Sequence, residues 1–147
     1  MTARLPERGT PAYTATADQF DAAQRDATGR AAALLHAGAL LVAPDGPWAA
    51  RMFDSVRPGA PARVVCHHIS AMNGPTSMYV TAPGTLVCPA CLAREADRHR
   101  DICAGCRKAR SGPLPHRIHI AQRGIAIAHG RLCFTCSTIE HRPKGPR

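Results

Sequence analysis

From Ala17 to Val42 apolar residues recur at helical spacing, at Phe20, Ala23, Ala27, Ala31, Leu34, Leu35 and Leu41. Asp18, Asp21, Gln24, Arg25 and Arg30 fall mostly elsewhere, so the pattern predicts an amphipathic helix. Thr16, with Gln19 three residues on, resembles a capping box at its start. Gly29 and Gly38 each cost about 1 kcal/mol relative to Ala, so the helix bends or ends early. Pro44-Asp45-Gly46 stops it. Pro47 can open a second helix at its first position, with Trp48, Met52, Phe53 and Val56 as its apolar face and Arg57-Pro58 as its end. Two helices joined by so short a turn predict a helical hairpin over residues 16–57. Its stripe exceeds what a unit of about forty residues buries alone. It is expected to pack on the rest of the chain, or on a second copy in a homodimer through the N-terminal helices. Residues 1–15, with Pro, Gly and alternating charge, read as a disordered arm, and 57–62 as a linker.

Beyond residue 63 the period shortens to two. Val64–Ile69 and Ser77–Ala82 read as strands, with Pro83-Gly84 as a turn before Leu86-Val87. The stretch RIHIAQRGIAIAHGRL alternates too: Ile118 and Ile120 precede a turn at Gln122–Gly124, and Ile125 and Ile127 follow it. Aromatic content is 4%, and large apolar side chains are few in this half. Something other than a large apolar core is expected to hold it. No run approaches about 18 apolar residues, so no membrane span is expected.

The cysteines supply that something. All seven lie between Cys66 and Cys136, and six form the pairs Cys88/Cys91, Cys103/Cys106 and Cys133/Cys136. Cys66 is followed by His67 and His68. Seven thiols and one imidazole are the donor count of two four-coordinate zinc ions. Disulfides fit less well: the number is odd, and MTARLPERGT carries no apolar signal core. Zinc with reduced thiols points to the cytoplasm.

The grouping follows from distance. LAREADRHRDI, between Cys91 and Cys103, is rich in helix formers. Twelve helical residues rise about 18 Å, whereas two sulfurs on one zinc lie about 4 Å apart. Those two pairs therefore belong to different ions, in a sequential or a cross-braced arrangement. Sequential grouping suits the intervening hairpins better. Cys103, Cys106, Cys133 and Cys136 then form one site, and Cys66, His68, Cys88 and Cys91 the other. Residues two apart on a strand face one way, which favours His68 as the eighth ligand; His67 is the next choice and His99 a distant third. The fold class is α+β: the helical hairpin, then two small zinc-stabilised β-hairpin units over 63–101 and 102–140, then a flexible basic tail over 141–147. TAPGTLVCPAC and IAHGRLCFTC end the two units in a similar way, as a duplication would.

Charge is uneven. Residues 66–147 hold twelve Lys and Arg against four Asp and Glu, and residues 1–65 seven against six. Seven thiolates and two dications together remove three positive charges, which leaves the zinc half near +5. Such a surface favours nucleic acid. Arg107, Lys108, Arg110, Arg117 and Arg123 are the candidate phosphate contacts, with Arg117 and His119 expected together on the strand face opposite Ile118 and Ile120. Few aromatics are available for base stacking, which argues against reading single strands that way. Abundant Ala, Arg, Gly and Pro fit a GC-rich bacterial genome.

The knuckle, hairpin, knuckle order resembles zinc-ribbon and treble-clef zinc fingers as a class. Residues 64–92, VVCHHISAMNGPTSMYVTAPGTLVCPACL, also resemble the HNH nuclease pattern. That second resemblance would make His67 a general base, but Leu92 stands where the pattern has His or Asn. No phosphate-binding Gly loop, nucleophile elbow or acid pair is present. The reading is a non-enzymatic zinc protein that contacts DNA or RNA. A zinc-scaffolded protein adaptor is the alternative, followed by a degenerate HNH-type nuclease and by redox sensing through zinc release.

Overall fold

In the computed structural model, which describes residues 11–60, 64–72, 74–112 and 115–142, the two expected hairpins belong to one sheet. Most of the predicted N-terminal arm, the end of the linker, residues 113–114 and the tail from 143 lie outside the described residues.

Helix α1 (Pro11–His36) starts earlier than the capping box predicted, so Thr16 and Gln19 fall inside it. It ends where Gly38 takes a left-handed backbone, φ +98°. The N–H of Ala39 reaches Leu34 O and that of Gly38 reaches Leu35 O, both at 3.0 Å. This is the paired-bond ending that a glycine after a helix permits. The chain then forms strand β1 (Leu40–Leu41) rather than more helix. Helix α2 (Pro47–Asp54) begins at Pro47 as expected. Strand β2 is Val64–Val65, helix α3 His67–Ser70, and strands β3 and β4 Met78–Ala82 and Thr85–Val87. Helix α4 (Pro89–Arg98), strands β5 (Arg117–Arg123) and β6 (Ala126–Leu132), and helix α5 (Phe134–Glu140) complete the order.

The sheet runs β1-β5-β6-β3-β4-β2. Hairpins β3/β4 and β5/β6 are antiparallel, and parallel pairing of Met78–Val80 with Ala126–Ala128 joins them. Gly84, φ +77° after Pro83, turns the first hairpin at the place predicted, whereas the second turns at Gly124, φ +58°, and Ile125, later than Gln122–Gly124, because Gln122 and Arg123 still pair with Ile127 and Ala126. Strands β1 and β2 add short parallel edges to β5 and β4.

Neighbouring residues on each strand face opposite ways, and here both faces are apolar. Tyr79, Val87, Ile120 and Ile127 share one cluster with Ala27 and Ala31 of α1. Val80, Leu86, Ala121, Ala128 and Leu132 share the other with Trp48, Met52 and Phe53 of α2. The helical hairpin is thus corrected: α1 and α2 belong to opposite sides of the sheet. Two buried faces need two covers, and the sheet's alternation supplies a better partner for each helix than the other helix does. Of the stripe expected to pack on the rest of the chain or on a second copy, Ala23, Ala27 and Ala31 are buried within the chain, whereas Phe20 and Leu41 stay exposed.

Distant contacts pin the covers. On α1, Asp26 accepts hydrogen bonds from Ser77 Oγ and, at 2.7 Å, from Arg30 Nε. Both bonds, that from Ser77 first, hold the Asp26 carboxyl below its ordinary pKa. At α2, Trp48 N–H donates to Glu140 Oε1 at 2.6 Å. A buried carboxylate from α5 therefore faces the positive end of α2.

Gly130 on β6 lies against rigid neighbours. A Cβ there would stand 2.7 Å from Ala104 Cβ and 2.9 Å from Trp48 Cζ2. Gly29, in exposed helix, has nothing within 4 Å of such a Cβ. Gly130→Ala should destabilise the zinc-loaded protein by about 1–3 kcal/mol, and Gly29→Ala should stabilise it by about 0.5–1 kcal/mol. Urea midpoints of the two variants are expected to move in opposite directions; equal shifts would show that Gly130 is not packed as described.

Candidate metal centres

Each hairpin is bracketed by a pair of donors before it and a pair after it. The first cluster is Cys66, His68, Cys88 and Cys91; the second is Cys103, Cys106, Cys133 and Cys136. Within each, one donor atom per residue lies within 4.8 Å of every other. The grouping is sequential, and His68 is the imidazole brought in, its Nδ1 3.3 Å from Cys91 Sγ. His67 is exposed, stacks beside His68 with centroids 3.9 Å apart, and belongs to neither cluster. His99 stands outside both as well.

The local route to the first cluster differs from the one predicted. Strand β2 stops at Val65, and Cys66 opens the one-turn helix α3. His68 reaches the cluster from that turn and not by strand alternation. On the C-terminal side, Cys88 and Cys133 are the extended residues preceding α4 and α5. Cys91 and Cys136 lie three positions into those helices, on the same side. One contact recurs in both units: the backbone N–H of Cys88 donates to Cys66 Sγ, and that of Cys133 to Cys103 Sγ, each at 3.3 Å.

The second knuckle is tight. Arg107 N–H donates to Cys103 O at 2.8 Å and Cys103 N–H to Lys108 O at 2.9 Å. The turn forces Arg107 to φ +63°, the one non-glycine residue with positive φ among those described. Gly105 is needed for another reason: a Cβ there would meet Cys136 Sγ at 2.8 Å.

The donors suit zinc. All seven cysteines are free thiols. Cys106 and Cys133 Sγ stand 4.0 Å apart, about twice a disulfide bond and close to the edge of a tetrahedron with Zn–S about 2.3 Å. Burial raises the pKa of Cys103, but N–H groups of Cys133, Cys106 and Gly105 outweigh it and bring the thiol down to about 7. Cys66 is lowered in the same way, by the N–H groups of Ile69 and Cys88 acting against burial. The first cysteine of each unit is thus prepared to ligate as thiolate. Ions held there would bind four protein donors each and cross-link the segments that supply them.

The repeated feature is the order of elements, not the peptide that looked repeated. Gly84 turns a hairpin, whereas Gly130 lies inside β6. The matching letters of TAPG and IAHG therefore stand at different structural places.

The basic residues separate. Arg107, Lys108, Arg110 and Arg117 are exposed, and Arg110 pairs with Asp101 at 3.6 Å. Arg123 is exposed as well, but its guanidinium is engaged: it stacks 4.8 Å over the Phe53 ring and donates to Pro44 O at 2.9 Å. His119 is not presented beside Arg117 but is fully buried, with Nε2 2.8 Å from Ser137 Oγ. Its strand is covered on both faces, so alternation cannot place it in water. Burial, foremost, pushes its pKa down.

A groove of about 1010 Å³ opens beside the second cluster, lined by Lys108, Arg117, Phe134, His141 and Arg142 among others, with no carboxylate. Phe134 and Arg142 were not singled out from the sequence. Phe134 is 85% exposed, the most exposed large apolar side chain described. A signal for it existed: the residue after the first Cys of each helix pair begins a helix, and it is the half-buried Pro89 in one unit and the exposed Phe134 in the other.

No protein-family model, curated protein or solved structure matches the chain. No described helix is long and apolar enough to cross a membrane.

Each cluster has one exposed donor, His68 in the first and Cys106 in the second, but the first holds two buried donors, Cys88 and Cys91, and the second one, Cys103, so the second ion is expected to leave first. A chromogenic chelator should remove zinc in two phases of equal amplitude. Cys106→Ser should abolish the fast phase and leave the slow one. A single phase in the native chain would contradict the difference.

Proposed function

We propose that the chain is a non-enzymatic protein with two structural zincs in treble-clef-like units, and that it contacts DNA or RNA through the groove beside the second zinc. The observation that carries the nucleic-acid reading is the groove's lining: Lys108, Arg117 and Arg142 approach from the knuckle, β5 and the end of α5, and no acidic side chain joins them. Magnitudes leave the balance positive. Four thiolates on a dication carry a net −2, against three cations in the groove, with Arg107 and Arg110 exposed nearby. The Cys133 N–H also donates to Cys103 Sγ, which itself lines the groove, and offsets part of that sulfur's negative charge. Of the five basic residues read from the sequence, Lys108 and Arg117 become the principal contacts. Arg107 and Arg110 are secondary, and Arg123 is replaced by Arg142.

A protein adaptor is the second reading, favoured by Phe134 and Ile139, both exposed on α5. Nuclease activity has less support: His67 stands beside a ligand histidine, outside both donor clusters.

Fluorescence anisotropy with labelled oligonucleotides in about 50 mM salt tests the main reading. Binding should weaken steeply as salt rises. Joint Lys108→Glu, Arg117→Glu and Arg142→Glu substitution should weaken it about tenfold or more and flatten the salt slope by roughly one unit per lost phosphate contact. Absence of binding at low salt, or indifference to the triple reversal, contradicts the reading. A protein partner retained after nuclease treatment supports the adaptor.

A further inference from the structure

We infer that the groove beside the second metal cluster takes an unpaired strand, with Phe134 as the platform for one base. The inference rests on the nucleic-acid reading above and goes further by naming the strand state and the residue that senses it.

Phe134 is the starting observation. An aromatic ring left 85% exposed gains nothing for folding. Its position on α5 explains why it cannot turn inward: it is the first helical residue, directly after Cys133, and the cluster fixes the backbone on both sides of it. The equivalent place in the first unit holds Pro89, a residue well suited to a helix start. The second unit gives up that preference for a ring in water.

The surroundings of the ring decide what it suits. It lines the same groove as Lys108, Arg117 and Arg142, which come from three separate elements. A flat apolar face among cations matches a nucleotide, whose base stacks while its phosphates pair with the charges. The groove is concave, with a volume of about 1010 Å³. A duplex is convex, keeps its base faces stacked internally and offers no free π-surface. A single strand can enter and present one; the shortage of aromatics that argues against stacking along a strand still leaves one exposed platform, Phe134. Helix α5 has only seven residues, and its start is committed to the metal cluster, so it is a poor candidate for insertion into a major groove. A protein segment would meet an apolar ring too, but the groove's charge favours a polyanion.

The test uses the full zinc-loaded chain, fluorescein-labelled oligo-dT and a hairpin duplex of equal phosphate number. Oligo-dT should bind more tightly than the duplex. Phe134→Ala should weaken oligo-dT binding roughly tenfold, leave duplex binding unchanged, and leave the salt slope of oligo-dT binding unchanged, since no phosphate contact is lost. Phe134→Trp should retain affinity, and oligo-dT should quench the emission of the new exposed indole; the native Trp48 is buried. Two bound zincs and an unshifted urea midpoint show that each variant is folded. If charge reversal weakens binding but Phe134→Ala does not, or if the duplex binds better, the inference is overturned while the nucleic-acid reading stands. If neither probe binds at low salt, both fall. Loss of a nuclease-resistant protein partner in Phe134→Ala, without loss of oligo-dT binding, overturns it in favour of the adaptor.

Discussion

The structure depends on gathering four soft donors on each side of one sheet. In each unit the chain leaves a knuckle, forms a hairpin and returns at the first turn of a helix. The return is marked by one repeated bond, the N–H of the helix-opening cysteine to the sulfur of the first ligand. Without a dication, three or four thiolates so close would repel one another. With one, each cluster cross-links a knuckle to a helix start across its hairpin. The clusters are also part of the apolar interior: Cys88 and Cys91 pack with the α1 side, and Cys103 with the α2 side. Ions bound there would support the fold jointly with the core, and the cysteine-rich half is less poor in apolar contacts than its own residues suggest, because α1 and α2 provide them.

The donor sets were legible because the geometry of a metal is short-range: two cysteines three apart can reach one ion whatever the rest of the chain does. His68 was reached by a faulty route, since Cys66 and His68 meet through a one-turn helix where alternation had implied a strand. The hairpin turns were legible from Pro83-Gly84 and Gly124. The single sheet was not, because pairing of Met78–Val80 with Ala126–Ala128 joins segments nearly fifty residues apart, and no local pattern marks it. Missing that pairing led to the helical hairpin. Once the sheet has two apolar faces, α1 and α2 separate to cover them.

The basic residues named from the sequence differ in their surroundings. Sequence shows where guanidinium groups occur, not whether a partner already holds them. Arg123 is taken by Phe53 and Pro44, and His119 by burial. Sequence does not mark Phe134, because a lone aromatic usually belongs to a core. Here its neighbour Cys133 fixes the backbone, so the ring is presented instead of packed.

Zinc K-edge X-ray absorption on the purified chain tests the central claim most directly. The account predicts two zincs per chain sharing seven sulfurs and one imidazole nitrogen, with shells near 2.3 and 2.0 Å and no zinc–zinc scattering. A bridged dinuclear centre, a second imidazole for every two zincs, or sulfur bonded to sulfur in place of metal would contradict it.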